Sequence, residues 1–192
     1  MDQKRRYVLA VTGASGAPFA ESLLKKLAQE PAVTQLFILS SPTGRRCFLD
    51  ETGERLEDVA RRLAKTVLLD EGDLGAEISS GSALHGGMVI VPCSAGTLGR
   101  IASGTSENLI TRAADVCLKE GRPLVLCLRE TPLNRVHMRN MLEAHDAGAT
   151  IMPLTPALYT RPRSINDLCD DFAARIMDRL GLAREGARRW NG

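Results

Sequence analysis

The chain has 192 residues, with 25 basic and 23 acidic side chains, 44% hydrophobic residues and only 4% aromatics. That is enough for one domain with a sizeable core, and the composition is that of an ordinary globular protein. The near-cancelling charge and the shortage of aromatics argue against a nucleic-acid partner or an anionic membrane surface.

No apolar run approaches the roughly 20 residues of a membrane span. The opening MDQKRRYVLAV mimics a signal peptide, but Thr12-Gly13 cuts its apolar stretch short. A cytoplasmic protein is expected. Its five cysteines are scattered and form no C-x-x-C pair, and its three histidines lack metal-ligand spacing. That suits a reducing compartment and no metal site.

In chain order, residues 7–11 read as a buried strand, followed by a glycine turn and a helix over 17–28 with Pro18 in its first turn. Residues 35–39 are a second strand ending at Ser40-Ser41-Pro42. A helix is expected over 54–65, with Leu56, Val59, Ala60 and Leu63 on its apolar side. Residues 70–82 are Gly/Ser-rich and looped. A third strand covers 88–91, and 92–106 is a loop with one short helix. A helix over 108–119 ends at Gly121 as a C-cap. The apolar run PLVLCL gives a strand over 123–128. A helix over 134–147, a short strand over 150–152, a proline-rich loop over 153–162 and a last helix over 164–180 complete the chain. Ser164 is the expected N-cap of that last helix, with Asp167 at its third position.

Short apolar strands alternating with helices imply an α/β fold, with a doubly wound parallel sheet between two helical layers. One domain over 1–181 and a polar tail over 182–192 are expected. Ligands in such sheets bind outside the carboxyl ends of the strands. The informative residues are therefore Gly13-Ala14-Ser15-Gly16, Ser40-Ser41, Cys93 through Thr97, Arg129-Glu130-Thr131-Pro132, and the loop around Tyr159.

The turn VTGASGAP offers N–H groups and a hydroxyl at a helix N-terminus. It reads either as an anion site or as a tight turn capped by Ser15. A dinucleotide site would need G-x-G-x-x-G and an acidic residue after the second strand. Ser15 and Ser40 stand there instead, so a mononucleotide phosphate on the 17–28 helix is the better expectation. Ser94 to Thr97 suit a phosphate or a heterocycle edge, or form an ordinary capped turn. Cys93 reads as a packed small residue. Arg129 and Glu130 put two charges at the end of the most apolar strand, where they must pair or bind something. Either they form a structural ion pair, with each other or with Arg112 or Lys119, or Arg129 holds a ligand and Glu130 handles a proton.

The motifs GASGA, ISSGS, VIVPCS, RAADV, LKE, RETPL and the closing LGL, at their spacing over residues 7–181, resemble the UbiX family of flavin prenyltransferases. The run 108–133 is the most specific part. The resemblance implies a flavodoxin-like Rossmann fold. It also implies transfer of a dimethylallyl group from dimethylallyl phosphate to N5 and C6 of reduced FMN, without a metal. The product is prenylated FMN, used by UbiD-type decarboxylases.

By the same resemblance Gly13, Ala14, Ser15, Ser40, Ser94, Ala95, Gly96, Thr97 and Arg129 contact FMN. Arg112, Tyr159 and Arg175 hold the prenyl phosphate, and Ser15, Lys119 and Glu130 are catalytic. Homo-oligomers, typically dodecamers built from trimers, are implied, and Trp190 is either a tail aromatic reaching a neighbouring subunit or part of a loosely ordered end. Two positions depart from the family pattern. Gly96 stands where many relatives carry lysine, and Ser41-Pro42 where many carry Lys-Ala. Three rival readings are an FMN-dependent cysteine-type decarboxylase, an aromatic-acid decarboxylase, and a non-catalytic flavin carrier subunit. The first lacks its M-N-x-x-M-W motif here.

Overall fold

The computed structural model describes residues 5–182. Six parallel strands form one sheet in the order β3-β2-β1-β4-β5-β6. The strands are β1 (Arg5–Val11), β2 (Val33–Ser40), β3 (Thr66–Leu68), β4 (Met88–Cys93), β5 (Leu124–Leu128) and β6 (Thr150–Ile151). Without the three-residue edge strand β3 the order is that of a flavodoxin-like sheet. The central strands are continuous apolar runs because both of their faces are covered: every residue of β4 and β5 is buried.

On one face Tyr7, Leu9 and Val11 pack against α1 (Ala17–Gln29), α2 (Pro42–Thr52), α3 (Leu56–Arg61) and α7 (Ile165–Arg179). Val8 and Ala10 point to the other face, toward α4 (Ala95–Ala102), α5 (Leu109–Lys119) and α6 (Arg135–Asp146). This alternation is the period-2 pattern of a strand, and it gives the expected three-layer α/β/α architecture.

Several elements differ from the sequence expectation. Helix α2 was not foreseen. It buries only Gly44 and Phe48, so its apolar stripe is weak; the Ser41-Pro42 pair that starts it is an N-cap followed by a first-turn proline. The helix expected over 54–65 stops at Arg61. The Thr66 hydroxyl donates to the carbonyls of Ala60 and Leu63 at 2.8 and 3.0 Å, turning the chain into β3. That edge strand is only half-buried, which hid it. Strand β4 runs two residues further than expected, and the loop after it holds α4. Ser164 caps α7 as expected, accepting from the Asp167 N–H at 3.1 Å. Leu182, just past that helix, is buried. Trp190 and the rest of the tail lie outside the described residues.

The order of strands reverses at β1, which lies between β2 and β4. The carboxyl ends of these strands form the crevice where such sheets take their ligands.

Candidate active site

The crevice begins with Thr12, which is buried. Its hydroxyl donates to the Pro92 carbonyl at 2.9 Å and accepts from the Ser94 N–H at 2.8 Å, locking the ends of β1 and β4 together. Gly13 then passes against Thr43, where a Cβ would stand 2.7 Å from the threonine side chain. The backbone of Ala14 closes the turn through a 2.8 Å bond to Thr12. Ser15 is exposed and does not cap α1. The N-cap is Gly16, at φ 125°, without a side-chain cap bond.

The anion at that helix end is part of the protein. Glu51 Oε2 accepts from the N–H groups of Gly16 and Ala17, both at 2.8 Å. A carboxylate on these N–H groups satisfies them and complements the helix dipole. The expected mononucleotide phosphate on α1 is thereby corrected: Glu51 arrives from α2, the helix that the sequence pattern did not reveal.

At the end of β2, Ser40 is buried, and Arg45 Nη1 donates to its carbonyl at 3.0 Å and its hydroxyl at 3.4 Å. Ser41 caps α2 through the Gly44 N–H at 3.0 Å. At the end of β4, Ser94 caps α4, accepting from the Thr97 N–H at 3.2 Å and donating to its hydroxyl at 3.0 Å. Leu98 N–H reaches the Ser94 carbonyl at 2.9 Å. Ala95 and Gly96 therefore carry first-turn N–H groups without a partner among the described residues.

These three strand ends enclose a cavity of about 290 Å³. Its lining includes Gly13, Ser41, Thr43, Ser94 and Thr97, together with Arg100, Glu107, Asn108 and Thr111. Asn108 and Thr111 form the capping box of α5. Glu71 also faces the cavity, and its Oε2 is buried with no partner among the described residues. Burial raises the pKa of that carboxyl, against the opposing charge of Arg45. Hydroxyls, one arginine held by Glu107 and an orphaned carboxyl oxygen, with the free N–H groups of the flanking α4 turn, fit a phosphorylated polyol such as the ribityl phosphate of FMN. The glycine at 13 leaves room for the Thr43 side chain, which lines the same cavity.

Among the expected flavin contacts, Gly13, Ser94 and Thr97 line this cavity. Ala14, Ser15, Ser40, Ala95 and Gly96 flank it on the same turns. Arg129 is on the next strand end, tied by its N–H to the Cys93 carbonyl at 3.0 Å. Both Arg129 and Glu130 are exposed, so the expectation of two buried charges fails: burial ends with Leu128. The ion-pair reading also fails. Glu130 Oε1 accepts from the Thr131 N–H at 3.0 Å, Arg112 pairs with Asp115 at 3.3 Å, and Lys119 pairs with Glu120 at 2.8 Å.

The remaining expected site residues are dispersed in one chain. Arg112 Nε donates to the Ser79 carbonyl at 3.0 Å. Lys119 is a full α5 length from the crevice, beside Gly81 at the amino ends of the strands. The loop carrying Tyr159 crosses the crevice edge, with Leu154 bonded to the Leu128 carbonyl at 2.8 Å and packed against Gly16. Arg175 lines a separate cavity of about 530 Å³ beside β6, with His145, Met152 and Asp178.

Sequence reasoning missed Glu51, Thr43, Glu71 and Arg100. Only Arg100 had a local signal, standing one helical turn after Gly96. Cys93 is a packed thiol as expected, with burial pushing its pKa to about 12. Among the described residues, no helix is long and apolar enough to cross a membrane, and no three His, Cys, Asp or Glu side chains cluster to hold a metal.

The Flavoprotein family pattern matches residues 1–178. A flavin prenyltransferase UbiX of Deinococcus radiodurans is 45% identical over 96% of this chain and 93% of its own length. A UbiX protein solved in complex with FMN and dimethylallyl pyrophosphate superposes with a TM-score of 0.92 at 40% identity, covering 98% of each chain. A dodecameric FMN-dependent UbiX-like decarboxylase from Escherichia coli O157:H7 gives a TM-score of 0.90 at 38% identity, covering 97% of this chain and 100% of that one. Similar to them in sequence and fold over nearly its whole length, the chain belongs to the UbiX family of flavin prenyltransferases.

Proposed function

We propose that the protein transfers a dimethylallyl group from dimethylallyl phosphate to N5 and C6 of reduced FMN in the cytoplasm, and hands the prenylated flavin to a UbiD-type decarboxylase. The observation that carries this is the hydroxyl-lined cavity at the β1/β4 switch point, flanked by the α4 turn on which the N–H groups of Ala95 and Gly96 are free among the described residues. Gly13, Ala14, Ser15, Ser40, Ser94, Thr97 and Arg129 hold the flavin on this edge. Reduced flavin supplies the electron-rich atoms that take the allyl group.

The chain's part is electrostatic. Breaking the allylic C–O bond leaves negative charge on the departing phosphate, and Arg112, Lys119, Arg175 and the Tyr159 hydroxyl stabilise it. Glu130, exposed at the end of β5 beside Arg129, takes the proton from N5. The released phosphate serves as base for ring closure.

The dispersal of these cations in one chain supports a homo-oligomer that brings Arg112 and Lys119 of one copy toward Tyr159 and Arg175 of another. Exposed apolar side chains support the same reading: Val136, Met138 and Leu142 on α6, Leu158 in the crossing loop and Ile165 on α7. A trimer-based dodecamer is the proposed assembly.

The test is anaerobic. Protein, FMN, a reductant and dimethylallyl phosphate are mixed, and the flavin mass is measured. A five-carbon gain is expected; no gain with either the monophosphate or the diphosphate donor rejects the proposal. Glu130→Gln should abolish product while FMN still binds, and unchanged product formation would remove Glu130 from the mechanism.

A further inference from the structure

Gly96 and Arg100 lie one turn apart on α4. A Cβ built on Gly96 would meet Arg100 Nη1 at 3.6 Å and nothing else within 4 Å. The guanidinium has therefore folded back along its own helix toward the N-terminus, the direction in which helical side chains lean. It stands over the turn whose Ala95 and Gly96 N–H groups lack partners. Its Nε donates to Glu107 Oε2 at 3.1 Å, which fixes one edge of the planar head and leaves the Nη edge for a ligand. Arg100, Glu107, Ser94 and Thr97 all line the same cavity.

From this geometry we infer that Arg100 is the cation that receives the FMN phosphate, acting with the α4 N–H groups and the Ser94 and Thr97 hydroxyls. Position 96 carries no long side chain to compete with the guanidinium for the space above the turn, and even a Cβ there would touch it only at an ordinary contact distance. Glu107 is a positioning residue that holds the arginine in this pose. The chemistry selects a phosphate dianion on a flavin. Riboflavin, which ends in a hydroxyl, gains nothing from the arginine.

This inference rests on the flavin reading above, and equilibrium binding separates the two. FMN and riboflavin are titrated by fluorescence into wild-type protein, Arg100→Gln, and the double variant Gly96→Lys/Arg100→Gly, which moves the charge one turn back. Arg100→Gln should weaken FMN binding about 10- to 100-fold, the worth of one charge-assisted contact, and leave riboflavin within about twofold. The double variant should recover at least about tenfold of the loss. Equal FMN affinity in wild type and Arg100→Gln, or an equal loss for both flavins, overturns the role of Arg100. Failure of the wild type to bind either flavin overturns the flavin reading itself.

Discussion

Two helices point their N-termini at the same sheet edge, and they are finished differently. The α1 end is closed by Glu51, whose carboxylate takes the N–H groups of Gly16 and Ala17. The α4 end keeps the N–H groups of Ala95 and Gly96 open, under Arg100 and beside hydroxyls. The α1 corner is also tight: Gly13 lies against Thr43, and Gly44 against the Val11 backbone. The α4 corner is roomy and polar. A helix N-terminus is a generic anion site. Which one serves a ligand depends on which one the protein has not already filled with its own carboxylate.

The contrast can be broken most severely at Gly44. A Cβ there would overlap the Val11 carbonyl oxygen and stand 2.9 Å from the carbonyl carbon, where only backbone could give way. Gly44→Ala should cost about 3 kcal/mol or more, read by chemical denaturation, as α2 is pushed off and takes Glu51 with it. A loss under about 1 kcal/mol would show that the α1 corner is not tight.

The opposite edge of the sheet offers a control that should leave both helix ends alone. His85 is buried, with Nδ1 3.3 Å from the Gly87 carbonyl and Nε2 unpartnered among the described residues. Burial, then the Arg122 charge, lowers its pKa to about 4. The unfolded chain, with a histidine near 6.5, binds the proton more readily. Stability is thus fully present above about pH 6.5 and falls as the pH drops toward 4, by up to about 3 kcal/mol. Comparing wild type with His85→Gln between pH 7.5 and 4.5 checks the slope, which should flatten in the variant.

Glu51→Ala should cost about 2 kcal/mol, since it strips the acceptor from two N–H groups at a helix end. Its thermal midpoint should fall accordingly, while FMN affinity at α4 stays within a few-fold of wild type. A large affinity loss without a stability loss would mean that α1 serves the ligand after all. The smallest effect belongs to Gly96→Ala. Its added Cβ meets only Arg100 at an ordinary contact distance, and alanine suits a helix better than glycine. Stability should rise by about 0.5 kcal/mol or stay level.

Much of the fold was legible because burial leaves a plain pattern. The runs that became β1, β4 and β5 are continuous and apolar since both faces of the sheet are covered. Helix α5 shows a strong apolar stripe, with seven buried residues in its 11. Helix α2, with two buried residues, shows almost none. The site was legible as far as strand ends can be located, which gave Gly13, Ser94 and Thr97. It failed for Glu51 and Glu71, which come from segments far along the chain from the strand ends they meet. The reading of Arg129 and Glu130 as buried charges erred because burial ends with the apolar run itself, at Leu128, and the next residue is already exposed.

The sequence by itself determined the parallel α/β architecture, the edge on which a ligand sits, and, through its motif spacing, the family. These follow from local periodicity and from residues adjacent in the chain. Only the tertiary structure decided which helix end is free. That choice depends on a carboxylate 35 residues from Gly16 and on an arginine folding back over Gly96, and such contacts are set by packing between elements that no periodicity records.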